Sequence, residues 1–139
     1  MNASQQQLDL THKVHRCIQQ QQWHQARHHC QRLLKLDDQD AQVHQLLGLI
    51  HVQLAATEAS SHLRQEHESR SLQAFEAATL HGPQMVDAFV NLGNAYLKAQ
   101  RNQDALKAYQ AALTLQPASD VVYANQAEAY RQLHDTAQA

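Results

Sequence analysis

Residues in this chain return at a spacing of 34. Phe75, Ala78 and Pro83 come back as Tyr109, Ala112 and Pro117, and Phe89, Asn91, Gly93 and Tyr96 come back as Tyr123, Asn125, Ala127 and Tyr130. Read backwards, the same offset takes His44, Gly48 and His51 to Leu10, Val14 and Cys17, and read forwards it takes Ala105 to Ala139. A fixed period of this size is the mark of one supersecondary unit used repeatedly, each copy burying its apolar face against the next. One interval departs from the rule. Gly48 and Gly93 are 45 apart, so the second unit carries eleven extra residues.

The unit is helical. Proline occurs only at 83 and 117 and glycine only at 48, 82 and 93, with both prolines placed after long helix-compatible stretches. No stretch sustains the two-residue alternation of a strand. The 139 residues suit a single domain spanning 1–139. Its units run from about 7 to 40, from 41 to 85 with the insertion, from 86 to 119, and from 120 to 139, where the fourth is cut short. The insertion lies between Gly48 and Ser71 and contains neither proline nor glycine. Eleven residues are about three helical turns, so both helices of that unit are expected to lengthen into a polar hairpin turning near Ala59 to Ser61. It serves either as a neutral insertion or as a contact for a partner.

The stretch "FVNLGNAYLKAQRNQDALKAYQAALTLQP" resembles a tetratricopeptide repeat. Phe89, Leu92, Gly93 and Tyr96 fill the family's first-helix pattern, and Ala105, Tyr109, Ala112 and Pro117 fill the second. Leu47, Gly48, Phe75, Ala78 and Pro83 match in the preceding unit; the first unit is degenerate, keeping Ala26 but ending in "LDDQD". The resemblance covers nearly the whole chain. It implies an all-α fold, a right-handed superhelical stack of antiparallel helix hairpins (an α-solenoid) of about three and a half repeats. Gly93, Gly48 and Ala127 are then expected where paired helices cross closest, with Ala105 and Ala112 opposite and large residues beside. Trp23 opens the second helix of the first unit. His44 and His51 stand where Phe89 and Tyr96 stand in the next unit, so both are expected in the helix interface.

The resemblance also implies a role as an interaction scaffold that holds a protein or peptide partner in a concave groove lined by the first helices. The groove residues expected from it are Gln45 and Leu49 in the second unit, Asn91, Asn94 and Lys98 in the third, and Asn125, Glu128 and Arg131 in the fourth. An asparagine amide offers a donor and an acceptor and so can pair with any extended backbone. Asn91 and Asn125, at equivalent places in successive units, resemble two rungs of the asparagine ladder of O-GlcNAc transferase repeats, a ladder that Leu46 interrupts. The alternative for these positions is a solvated polar face. A clamp for the acidic tails of heat-shock chaperones is disfavoured, because Thr11, Leu46 and Asp87 stand near where its basic and polar residues belong.

Other classes fit poorly. Eleven Lys and Arg against thirteen Asp and Glu give a net charge of −2, no footprint for nucleic acid. No apolar run is long enough to cross a bilayer. The N-terminal stretch lacks a basic start followed by an apolar core, so it is no secretory signal, and two cysteines, Cys17 and Cys30, are too few for a disulfide scaffold. A cytoplasmic protein with reduced thiols is expected. No phosphate-binding glycine loop or nucleophile elbow is present, so no catalytic residue, enzyme activity or cofactor is assigned. His24 and His28, four apart, with Cys30 nearby, do not close a zinc shell, which needs three or four ligands; no metal is assigned. Two further readings stay open. The chain is an N-terminal, substrate-presenting arm of a larger enzyme, glycosyltransferase- or sulfotransferase-like, or it is a self-association module that forms homo-oligomers through its uncapped C-terminal end.

Overall fold

A computed structural model of the chain describes residues 2–138. Among the described residues there are seven helices and no strand: α1 (Ala3–Gln19), α2 (Trp23–Leu36), α3 (Ala41–Thr57), α4 (Ser61–His81), α5 (Val86–Lys98), α6 (Asn102–Leu115) and α7 (Asp120–Gln138). The expected recurrence of Ala105 at Ala139 lies outside the described residues.

Local chemistry places the ends. The Asn2 side chain accepts from the Gln5 N–H at 2.9 Å and the Asp40 side chain from the Val43 N–H at 3.2 Å, each satisfying a helix-start donor. The α1–α2 and α5–α6 turns, residues 20–22 and 99–101, are copies of one another. Gln21 and Gln100 adopt the left-handed conformation, φ 58° and 61°. The Gln22 N–H then reaches the Cys17 carbonyl and the Arg101 N–H the Tyr96 carbonyl, both at 2.8 Å. This six-residue closure usually recruits glycine at the left-handed position; here glutamine fills it twice.

The chain divides into two compact units, Met1–His81 and Gly82–Ala139. In the first, α1 to α4 pack each on the next, and Val14, Cys30 and Ile50 lie at the centre of one apolar cluster. Cys17 and Cys30 are buried and free. The eleven extra residues lengthen α3 to 17 and α4 to 21 residues, against 13 and 14 for α5 and α6. The connection, residues 58–60, falls where the turn is expected. In the second unit, α5 packs on α6 and α6 on α7, around a cluster that includes Ala105, Tyr109, Val122 and Ala129.

The close approach at the glycines differs from expectation. Ala105 and Ala112 are fully buried, but the group directly over Gly93 is the Tyr109 ring: a Cβ there would sit 2.4 Å from its nearest carbon. Phe75 covers Gly48 in the same way, at 2.5 Å. The notch therefore receives an aromatic ring face rather than another small residue. The two histidines also part company. His51 is buried, whereas His44 is half-buried, stacks on His81 and places Nε2 2.8 Å from the Asp38 carbonyl oxygen. His44 thus meets α4 as expected, half-buried like Phe89 at the matching place, with the Asp38 carbonyl as a further partner.

Candidate functional site

In the second unit, Asp87, Asn91, Asn94 and Lys98 follow one another along α5 at intervals of four, three and four, which places them in one stripe. Thirty-four residues on, Val121, Asn125, Glu128 and Gln132 make the matching stripe on α7. Asn91 and Asn125 are half-buried, and among the described residues neither amide has a hydrogen-bond partner. Val90 and Leu97, which also count as inward on α5, are instead drawn into the cluster against α6 and α7.

The other expected residues are already engaged. The buried Tyr109 hydroxyl donates to Asn94 Oδ1, which leaves the Asn94 amide N–H groups as its outward donors. Burial pushes the Tyr109 phenol up to about 12. The Arg131 guanidinium grips both Glu128 oxygens and reaches Asp135 at 3.0 Å. Hydrogen bonds from Arg131 and then Gln132 hold the Glu128 carboxyl well below the usual carboxylate range. Lys98 is exposed at the C-terminal end of α5. It borders an open cleft of about 680 Å³ whose lining includes Arg101, Asn102, Asp104 and Arg131. Sequence reasoning missed Asn102, whose side chain is buried and whose Oδ1 has no partner; its place on the first turn of α6 gave no periodic signal.

In the first unit, Gln45 and Leu49 lie on α3. Gln45 Oε1 is buried without a hydrogen-bond partner, and Leu49 is an exposed large apolar side chain. Leu49 is thus an apolar side chain open to a cover, whereas the Gln45 oxygen is out of reach of an incoming donor as it stands. Among the described residues no group of three or more His, Cys, Asp or Glu side chains could hold a metal ion. No helix there is long and apolar enough to cross a membrane.

Paired helices notched by glycine and repeated along the chain define a helical-repeat protein. The tetratricopeptide repeat family model matches residues 56–120 of the chain. No curated protein matches it in sequence. Solved structures share the fold at low identity. The TPR domain of Arabidopsis OM64 superposes with a TM-score of 0.79 at 16% identity, covering 94% of this chain and 98% of that one. The second TPR domain of human RPAP3, solved in complex with the HSP70 peptide SGPTIEEVD, gives 0.79 at 12% identity, with 93% and 98% covered. The Thermobaculum terrenum O-GlcNAc transferase gives 0.74 at 16% identity, covering 93% of this chain and 23% of that one.

Proposed function

We propose that this chain is a non-catalytic interaction module of the cytoplasm that holds an extended segment of a partner protein against its first helices. The α5 and α7 stripes of the second unit are the proposed contact, with Asn91 and Asn125 pairing with the partner's backbone. The observation that carries the reading is that these two amides recur at equivalent places, half-buried and without partners, in a fold that other proteins use to hold peptides. Asn94 and Lys98 flank Asn91, and Glu128 and Arg131 flank Asn125. Gln45 and Leu49 make a separate contact surface on α3. Because Arg131 is committed to Glu128 and Asp135, backbone recognition by amides fits this face better than capture of a terminal carboxylate.

The test is a capture experiment with the unaltered chain and the Asn91→Ala/Asn125→Ala variant, alongside titration with SGPTIEEVD. The reading expects partners that the unaltered chain retains and the variant loses, and little binding of the acidic peptide. Equal capture by both proteins sinks the amide contact, and tight SGPTIEEVD binding replaces it with a tail clamp.

Two observations favour other roles. The likeness to an O-GlcNAc transferase of which this chain matches only 23% supports a substrate-presenting arm of a larger enzyme. On α7, Ala127, Tyr123 and Tyr130 are all exposed, which supports self-association through that helix. Sedimentation across concentrations decides the latter, a strictly monomeric chain excluding it.

A further inference from the structure

Among the described residues, the lengthened hairpin of α3 and α4 is the only helix pair closed by two buried histidines in contact. His51 on α3 and His67 on α4 are both buried, and their Nδ1 atoms lie 3.0 Å apart. The pair sits where the extra length begins. Helix α6 starts seven residues before Tyr109, whereas α4 starts fourteen before Phe75, the equivalent ring. Residues 61–66 of α4 are all exposed, so His67 is the first buried side chain met on descending that helix from the tip.

Two imidazoles facing each other through Nδ1 impose a proton rule. In the neutral pair one ring carries its hydrogen on Nδ1 and donates, and the other carries it on Nε2 and accepts. A first added proton goes to the donor's free Nε2 and leaves the shared bond intact. A second must go to the acceptor's Nδ1, so two N–H groups and two positive charges then face each other at a distance that only a hydrogen bond sustains. Burial and the nearby cations outweigh the carboxylates that would relieve this charge. From α2, Arg27 repels both rings and His24 faces His67; from α4, Arg70 repels His51. The attractive carboxylates are Glu66 and, beside the connection, Glu58. Both are already hydrogen-bonded, Glu66 to the Arg70 guanidinium and Glu58 to the Ser60 N–H.

We propose that the His51–His67 pair is a proton-operated latch, which keeps the α3–α4 arm closed while it holds at most one added proton and releases the arm when both rings are charged. The consequence is local. On α4 only exposed residues lie above the latch, and on α3 the buried Leu54 and Ala55 are the remaining hold, so the arm loosens beyond them while α5 and α6, in the other unit, do not respond.

Hydrogen exchange of the full chain, followed by mass spectrometry between pH 7.5 and 4.5 and corrected for intrinsic exchange, reads this directly. Protection of residues 52–68 should fall at least tenfold more than that of α5 and α6 over this range. A single proton taken up on opening allows up to about tenfold per pH unit, and two allow up to about a hundredfold. The His51→Phe/His67→Leu variant should lose this excess, and so should His67→Gln in part, since its amide keeps a hydrogen bond but takes no proton. Imidazole ¹⁵N spectra at pH 7.5 should show one ring as the Nδ1–H tautomer and the other as Nε2–H. Two Nε2–H rings overturn the latch, as does an arm whose protection tracks α5 and α6 at every pH or an excess that survives in the variants.

Discussion

The Tyr109 ring lies flat on Gly93, so close that a Cβ would meet its Cε1 at 2.4 Å. The ring cannot retreat easily. It is fully buried, and its hydroxyl is tied to Asn94 on the helix that carries the glycine. Glycine inside a helix costs about 1 kcal/mol against alanine, and the ring contact is what that cost makes room for. Gly93→Ala therefore sets a helix gain of about 1 kcal/mol against an overpacking loss of about 1–3 kcal/mol. The expected net effect is destabilisation, larger for Gly93→Leu, read as a lower urea midpoint. A midpoint above that of the unaltered protein places the ring elsewhere.

The first hairpin meets the same constraint with the sizes exchanged. Val14 occupies the glycine position and Cys30 the aromatic position, and both are fully buried in one cluster. Val14→Gly should leave a void and Cys30→Tyr should overpack, each costing about 1–3 kcal/mol. The double variant reproduces the sizes found at Gly93 and Tyr109, so it should be more stable than either single change predicts. A double-mutant cycle measures this, and simple additivity of the two losses refutes the exchange.

Much of this was legible before any coordinates. The spacing of 34, the two prolines and the insertion without breakers locate the helices and the turn at 58–60, because helix ends answer to local chemistry. What lies over Gly93 was not legible. Periodicity says which positions are inside, but Ala105, Ala112 and Tyr109 are all inside, and only the crossing decides which one meets the glycine. The site was less legible than the fold. Stripe position marks Asn94 and Glu128 as open to a partner, yet hydrogen bonds across the hairpin and along α7 commit them.

Left-handed Gln21 and Gln100 make a direct prediction. A residue with a Cβ in this conformation costs roughly 1–2 kcal/mol relative to the right-handed one, a cost that glycine avoids at the price of a looser unfolded chain. Gln100→Gly should raise stability by up to about 1 kcal/mol, visible as a higher melting temperature. Gln100→Val should lower it, since a branched Cβ crowds that conformation most. A melting temperature unchanged in both variants indicates that the turn at 99–101 is not closed by the Arg101 N–H.

The Tyr109 hydroxyl offers a test that joins stability to recognition. Tyr109→Phe keeps the ring over Gly93 but removes the donor to Asn94. The loss of a single hydrogen bond is about 1 kcal/mol, measurable in urea. In the same variant the Asn94 oxygen becomes available on the α5 stripe, so a partner that reads amides should bind at least as well as before. Weaker binding at unchanged stability shows instead that the tie to Tyr109 positions Asn94 for its partner.

The buried pair also makes overall stability depend on pH. Burial first, then the charges of His67, Arg27 and Arg70, lowers the His51 pKa from 6.5 to about 4, and burial followed by Arg27 lowers that of His67. A histidine depressed in the folded state is neutral in both states above about 6.5, so its full contribution is present there. As pH falls below that value the unfolded chain takes up a proton that the folded chain refuses, and stability drains away until the folded pKa is reached. For His51 the loss between pH 6.5 and 4 is on the order of 3 kcal/mol. Urea midpoints should therefore drop from pH 7.5 to pH 5 in the unaltered protein. The His51→Phe/His67→Leu variant should drop less, because neither position then takes a proton in the unfolded chain. The same drop in both proteins assigns the acid loss to groups outside the α3–α4 interface.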